Sequence, residues 1–191
     1  MPWALAQTAA TVITPLTGSS ATQTVLGQSQ SGTKVITTAT LRDGNAFNNF
    51  SLFQIGTGDT VKMVVPTGAN WLVNVVRDGR VQIDGLLQGR LGAENGVLGG
   101  NLLFIDSHGF AVGPQGQIDT GRLTFAAPST TYVDGLLGSI QNGGLSGATV
   151  GNVLGGQFDR SATGSVNIQG RINAAEGLTL MAGHGGTDTH A

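Results

Sequence analysis

Any chemistry in this 191-residue chain would have to come from its acidic and histidine side chains, because it contains no cysteine to serve as nucleophile, thiolate ligand or disulfide. Cleaving a polysaccharide needs paired carboxylates, or acidic calcium ligands beside a basic Arg or Lys, presented on one face. Only eleven acidic residues are present, and they stand singly at turns, Glu94 and Glu176 among them. Asp84, Asp106 and Asp119 would align if their segments stacked, yet each occupies a place where a turn favours Asp in any case. Near the end, His184, Asp188 and His190 lie in Gly183-His-Gly-Gly-Thr-Asp-Thr-His-Ala191. That stretch holds one imperfect copy of a calcium-binding nonapeptide, and such sites need tandem copies. The acidic and histidine residues therefore point away from catalysis, and no cofactor and no metal is expected.

The elements that would carry these residues are unusual in composition. Charged residues make up 10% of the chain, against about 25% in typical domains, and Gly supplies 32 positions. A net charge of -2 gives no pull toward nucleic acid or an anionic membrane. No stretch approaches the ~20 apolar residues of a spanning helix. Between Gly100 and Ser129, apolar runs at Leu102–Ile105, Phe110–Val112 and Leu123–Phe125 alternate with turns on Gly109, Gly113-Pro114, Gly116 and Gly121. Hairpin strands usually run five or six residues, so these short pieces predict an all-β parallel solenoid whose corners turn in one sense.

Internal echoes support stacked turns. Gly79-Arg-Val-Gln-Ile-Asp-Gly85 matches Gly164-Ser-Val-Asn-Ile-Gln-Gly170. Gln115-Gly-Gln-Ile-Asp119 with Leu123-Thr-Phe-Ala-Ala127 is answered by Gln169-Gly-Arg-Ile-Asn173 with Leu178-Thr-Leu-Met-Ala182, which would put Ile118 over Ile172. Strands are predicted over Asp59–Val65, Trp71–Val76 and Val81–Leu87, with Asp78-Gly79 and Asp84-Gly85 as turns that use glycine's access to positive φ. The Thr- and Ser-rich start is expected to form an N-terminal β cap over about 7–57. Phe47, Phe50 and Phe53 recur every third residue, a spacing that fits one side of a helical turn or a solenoid corner. Tyr132, Val133, Leu136, Leu137 and Ile140, followed by Val150, Val153 and Leu154, predict short helices outside the solenoid in an insertion over about 130–160. Residues 1–6, with the small-x-small pattern Ala4-Leu5-Ala6, read as a signal-peptide remnant or a disordered N-terminus. Residues 184–191 read as a disordered tail or the start of further repeats.

From about Gly44 to Gly183 the chain resembles the N-terminal two-partner secretion domain, the haemagglutination-activity domain of filamentous haemagglutinin-like and leukotoxin-type adhesins. The resemblance is carried by Asn45-Ala-Phe-Asn-Asn-Phe-Ser-Leu-Phe, Asp59-Thr-Val, Ile83-Asp-Gly-Leu-Leu87 and Gly99-Gly-Asn-Leu-Leu-Phe-Ile-Asp-Ser-His-Gly-Phe-Ala-Val-Gly113. Gly170-Arg-Ile-Asn-Ala-Ala-Glu-Gly-Leu-Thr-Leu-Met-Ala-Gly183 completes it. It implies a right-handed parallel β-helix over 7–183, with the cap and the partly helical insertion described. It also implies a secretion domain of a large adhesin, exported through the periplasm of a Gram-negative bacterium to the medium or cell surface. The partner would be an outer-membrane β-barrel transporter whose periplasmic domains recognise the unfolded chain, which then folds outside as a monomer. The positions implied in recognition are Asn45, Phe47, Asn48, Phe50 and Phe53, with the turn Asp106-Ser107-His108-Gly109. In the family that turn typically reads Asn-Pro-Asn-Gly or Asn-Pro-His-Gly. Asp can replace Asn as a turn former, while loss of Pro frees φ.

Two other readings belong to different classes. One is a β-helix polysaccharide-active enzyme, which the scattered carboxylates disfavour. The other is an autonomous module binding a carbohydrate or host ligand, for which Trp3, Trp71 and Tyr132 are the few aromatic platforms on offer. Binding of host-cell or matrix polysaccharide is expected instead in downstream repeats.

Overall fold

The computed structural model describes residues 10–16 and 24–184. Residues 1–6, with Trp3, lie outside them, as do Asp188 and His190 and all of the tail beyond His184. The described residues form β1 (Val12–Pro15), β2 (Thr24–Gln30), β3 (Thr33–Thr38), β4 (Leu41–Arg42), β5 (Asn45–Ile55), β6 (Thr60–Val65), β7 (Trp71–Val76) and β8 (Val81–Ile83). They continue as β9 (Leu86–Leu91), β10 (Asn101–Asp106), β11 (Gly109–Val112), β12 (Gln117–Ala126), α1 (Thr130–Gln141), α2 (Gly147–Leu154), β13 (Ser165–Ile168) and β14 (Arg171–Met181).

Three parallel ladders organise the strands. In the first, the start of β5, then β7, β10, the end of β12 and the end of β14 pair in turn, so that Ala46, Leu72, Leu102, Leu123 and Leu178 share a row. The second stacks Ile55, Ile83, Val112 and Ile168 from the end of β5, β8, β11 and β13. The third stacks Val61, Leu87, Ile118 and Ile172 from β6, β9, β12 and β14. Ile118 pairs with Ile172 as the echo predicts, and Val81 and Val166 of the other echo flank Phe110 on its two sides. Successive side chains of a strand alternate faces, so each ladder sends one set of apolar rows into a shared interior. A chain of aromatic contacts runs through it, Phe50 to Phe53 at 5.1 Å, Phe53 to Phe104 at 5.1 Å, Phe104 to Phe110 at 6.3 Å and Phe110 to Phe125 at 4.8 Å.

The run predicted as one strand over 81–87 is two strands, β8 and β9, separated by a corner at Asp84-Gly85. Neither Gly79 nor Gly85 has a positive φ. Glycine is needed at this corner for proximity instead. A Cβ on Gly85 would lie 2.4 Å from the Gly56 carbonyl oxygen, one on Gly116 2.1 Å from that of Ile83, and one on Gly170 2.2 Å from that of Gly116. The same corner thus repeats strand below strand, where only a residue without Cβ lets the backbones approach.

Ladder one is covered on both faces. Leu72 and Val76 point into the shared interior, while Val73 and Val75 point away from it, beneath α1 and α2. This explains why the run Trp71–Val76 is apolar at nearly every position. The helices begin where Ser129 and Ser146 accept hydrogen bonds from the Tyr132 and Thr149 amides, at 3.3 and 3.2 Å. At the other end of the sheet, β1 pairs antiparallel with β5 and β2 with β3, while β3 joins ladder three alongside β6.

Candidate functional site

Strand β5 holds five of the nine positions implicated by sequence, and it runs extended from ladder one into ladder two without a helical turn. Alternation therefore separates the phenylalanines. Phe47 faces the helices, whereas Phe50 and Phe53 both enter the shared interior. The pairing to β7 ends at Phe50 and pairing to β8 resumes at Gln54, so the strand bends between them. The helical-turn reading is corrected by the strand. Phe47, Asn48, Phe50 and Phe53 are each 0% exposed and Asn45 is 5% exposed.

A buried amide needs partners in an apolar interior, and Asn48 has them. Its Nδ2 donates to Asn74 Oδ1 at 3.0 Å, and its Oδ1 accepts from Thr24 Oγ1 at 3.0 Å. Asn74 Nδ2 donates in turn to the Leu72 carbonyl at 3.0 Å and the Leu103 carbonyl at 3.3 Å. Asn74 was missed from sequence; the signal for it was a single amide interrupting the apolar run Trp71–Val76. Asn45 Nδ2 donates to the Asp43 carbonyl at 3.1 Å, holding the start of the strand.

The turn after β10 holds the other four positions. Phe50, Val76 and Asp106 share a row of ladder one, which brings strand and turn onto one face of the same stack. Asp106 accepts from the His108 amide at 2.8 Å, the bond expected of an Asx turn, and from the Val81 amide at 2.9 Å. His108 Nδ1 lies 3.1 Å from the same carboxylate. Burial pushes the Asp106 carboxyl up to about 6, against the opposing pull of the His108 amide, side-chain bond and charge and of the Val81 amide. Ser107 is buried, its carbonyl accepting from Ser161 Oγ at 2.6 Å and its hydroxyl from Thr130 Oγ1 at 3.4 Å. Gly109 has φ +110°, and a Cβ there would lie 2.3 Å from the Ser165 carbonyl oxygen. His108 alone of the nine reaches solvent substantially, with its side chain 42% exposed.

The carboxylates considered for catalysis do not converge. Asp106 is paired in register with Val76 and Asp119 with Gln88 and Asn173, in different ladders. Asp84 stands at the corner between ladders two and three, bonded to Gln82 at 2.9 Å. Asp119 is occupied by Gln117 and by Asn173, the latter at 2.6 Å. Among the described residues, no group of three or more His, Asp or Glu is placed to hold a metal ion, and no helix is long and apolar enough to cross a membrane.

In the folded chain the β5 positions are sealed, and of the nine only His108 offers its side chain to solvent. Compared with known families, residues 11–190 match the model of the TPS secretion domain. No curated protein matches the chain.

Proposed function

Because the chain belongs to the TPS secretion domain family, the export domains of two-partner secreted exoproteins, we propose that β5 and the Asp106–Gly109 turn are read before folding, and that folding then buries what was read. Membership carries a non-catalytic role, recognition by an outer-membrane transporter, and passage through the periplasm and across the Gram-negative outer membrane. The observation that carries the proposal is the burial of Asn45, Phe47, Asn48, Phe50 and Phe53 in the folded chain. A transporter cannot touch these side chains once the ladders are made and the helices lie over Phe47. Each large apolar side chain that goes under contributes about 1.5–3 kcal/mol, so folding on the far side opposes return.

The three ladders are the three faces of a right-handed parallel β-helix. Supporting this, the chain visits them in one order, first, second, third and back to the first one strand along, and parallel crossovers are right-handed in about 98% of cases. We assign residues 7–183 to this domain, 7–57 to its cap and 130–160 to an insertion outside the coil. Residues 1–6 and 184–191 flank it. The parent protein is an adhesin in this reading, with polysaccharide or host-ligand binding in downstream repeats and the domain itself a monomer.

Export of the chain behind a signal peptide, with and without its partner transporter, tests the proposal through a matched pair. Asn48→Ala and Asn74→Ala break the same buried bond, but only Asn48 lies in the segment assigned to recognition. Reduced secretion with Asn48→Ala and near-normal secretion with Asn74→Ala is expected, and His108→Ala should also reduce it. Equal losses from Asn48→Ala and Asn74→Ala would mean that stability, not recognition, governs export.

A further inference from the structure

Ladder one is where early and late parts of the sequence meet. Phe47, Val73, Val75, Leu103 and Ile105 form an apolar strip on its outer face, and the buried undersides of α1 and α2 cover that strip. Two hydrogen bonds fasten the cover to the start of the ladder. Arg42 Nη1 donates to the Gly144 carbonyl at 3.0 Å, and the Gly147 amide donates to the Asp43 carboxylate at 3.0 Å, across 102 and 104 residues of chain. The segment is also closed at its base. Ser129 N donates to the Asp159 carbonyl at 2.6 Å and Ser161 N to that of Ala127 at 2.9 Å. Pairing of β12 with β14 and of β11 with β13 runs past this base on either side, so the covering segment is an excursion joined to the ladders along one line.

The helices are also intrinsically weak. Gly135 and Gly138 in α1 and Gly151 in α2 have nothing within 4 Å of where a Cβ would stand, so packing does not require glycine there. Each lowers helix propensity, and short helices with such sequences depend on docking to persist.

We propose that residues 130–160 form a latch that closes over the strip after the ladders have formed and that opens independently of them. The latch regulates the site described above, and it rests on the secretion reading only in giving closure a place in export. Until α1 and α2 are available, Phe47 keeps an open apolar face even though β5 has paired with β7. Closure is then the step that completes concealment of the recognition strand.

Native-state thiol labelling of the full chain tests this without a transporter. Val75→Cys places a thiol under the helices and Val81→Cys places one in the main interior, in a protein with no other cysteine. Opening of a latch should make the first label at least about tenfold faster than the second. Adding Ile140→Ala, which removes part of the helix underside, should accelerate labelling of Val75→Cys by a further tenfold or so and leave Val81→Cys unchanged. Adding Gly138→Ala, which strengthens α1 without filling a gap, should slow the Val75→Cys thiol about severalfold. Equal labelling of the two thiols in all backgrounds would show that helices and ladders open as one unit and would overturn the proposal. Failure of the export reading would leave these rates untouched, so the two can fail separately.

Discussion

Strand β5 and the turn after β10 meet in one row of ladder one, at Phe50 and Asp106, yet solvent meets them differently. The β5 side chains assigned to recognition are sealed between the shared interior and the helices. The turn buries Asp106 and Ser107 but presents His108. The difference teaches that, in the proposed reading, the two segments would differ as signals: a strand accessible only while unfolded, and a turn with one side chain still accessible afterwards.

The sharpest contrast comes from substitution on each side. Phe50→Ala removes a ring in contact with Phe53 and should cost about 3–5 kcal/mol in urea unfolding. A cost near zero would mean that β5 is not the sealed region described. Next in size is the pH dependence contributed by Asp106. Its folded carboxyl lies above its ordinary value of 3.8, at about 6, so its contribution to stability is complete below 3.8 and is lost as pH rises through about 6. That loss should amount to up to about 3 kcal/mol. Thermal unfolding of Asp106→Asn across the same range should show the slope removed; an unchanged slope would assign it to another group. Asn48→Ala leaves Asn74 Oδ1 without its donor inside the core and should cost about 1–3 kcal/mol, with Asn74→Ala similar. Smallest of all, His108→Ala removes one half-exposed side-chain bond to Asp106 and should cost about 1 kcal/mol; a loss as large as that of Phe50→Ala would place His108 with the buried set.

Much of this was legible in the sequence, and the boundary has physical causes. Repeated inward positions print directly as echoes, which is why Ile118 and Ile172 could be paired from their phrases alone. The apolar spacing of Val133, Leu136, Leu137 and Ile140 marked a helix for the same reason. A period of three in Phe47, Phe50 and Phe53 fits a helical turn and not a straight strand, yet the segment is a strand in which a bend between Phe50 and Phe53 resets the alternation. Local pattern does not record such a bend. The partners of Asn48, the row shared by Phe50 and Asp106, and the contact of Asp43 with Gly147 depend on which strands stack and on chain separations of 24 to 104 residues. Nor did glycine itself reveal its reason for being at Gly85, since a corner needing positive φ and one needing close approach select the same residue.

Recognition before folding is tested most directly by measuring binding of the transporter's purified periplasmic domains to the same chain in its two states. Phe104→Ala combined with Phe125→Ala removes rings from the interior while leaving all nine implicated positions intact, and so supplies the unfolded state without denaturant. If recognition precedes folding, that unfolded chain binds saturably and the folded parent binds more weakly, by about the fraction of time it spends unfolded. Equal affinity for the folded parent would contradict recognition before folding, because eight of the nine positions would then be buried and yet unneeded.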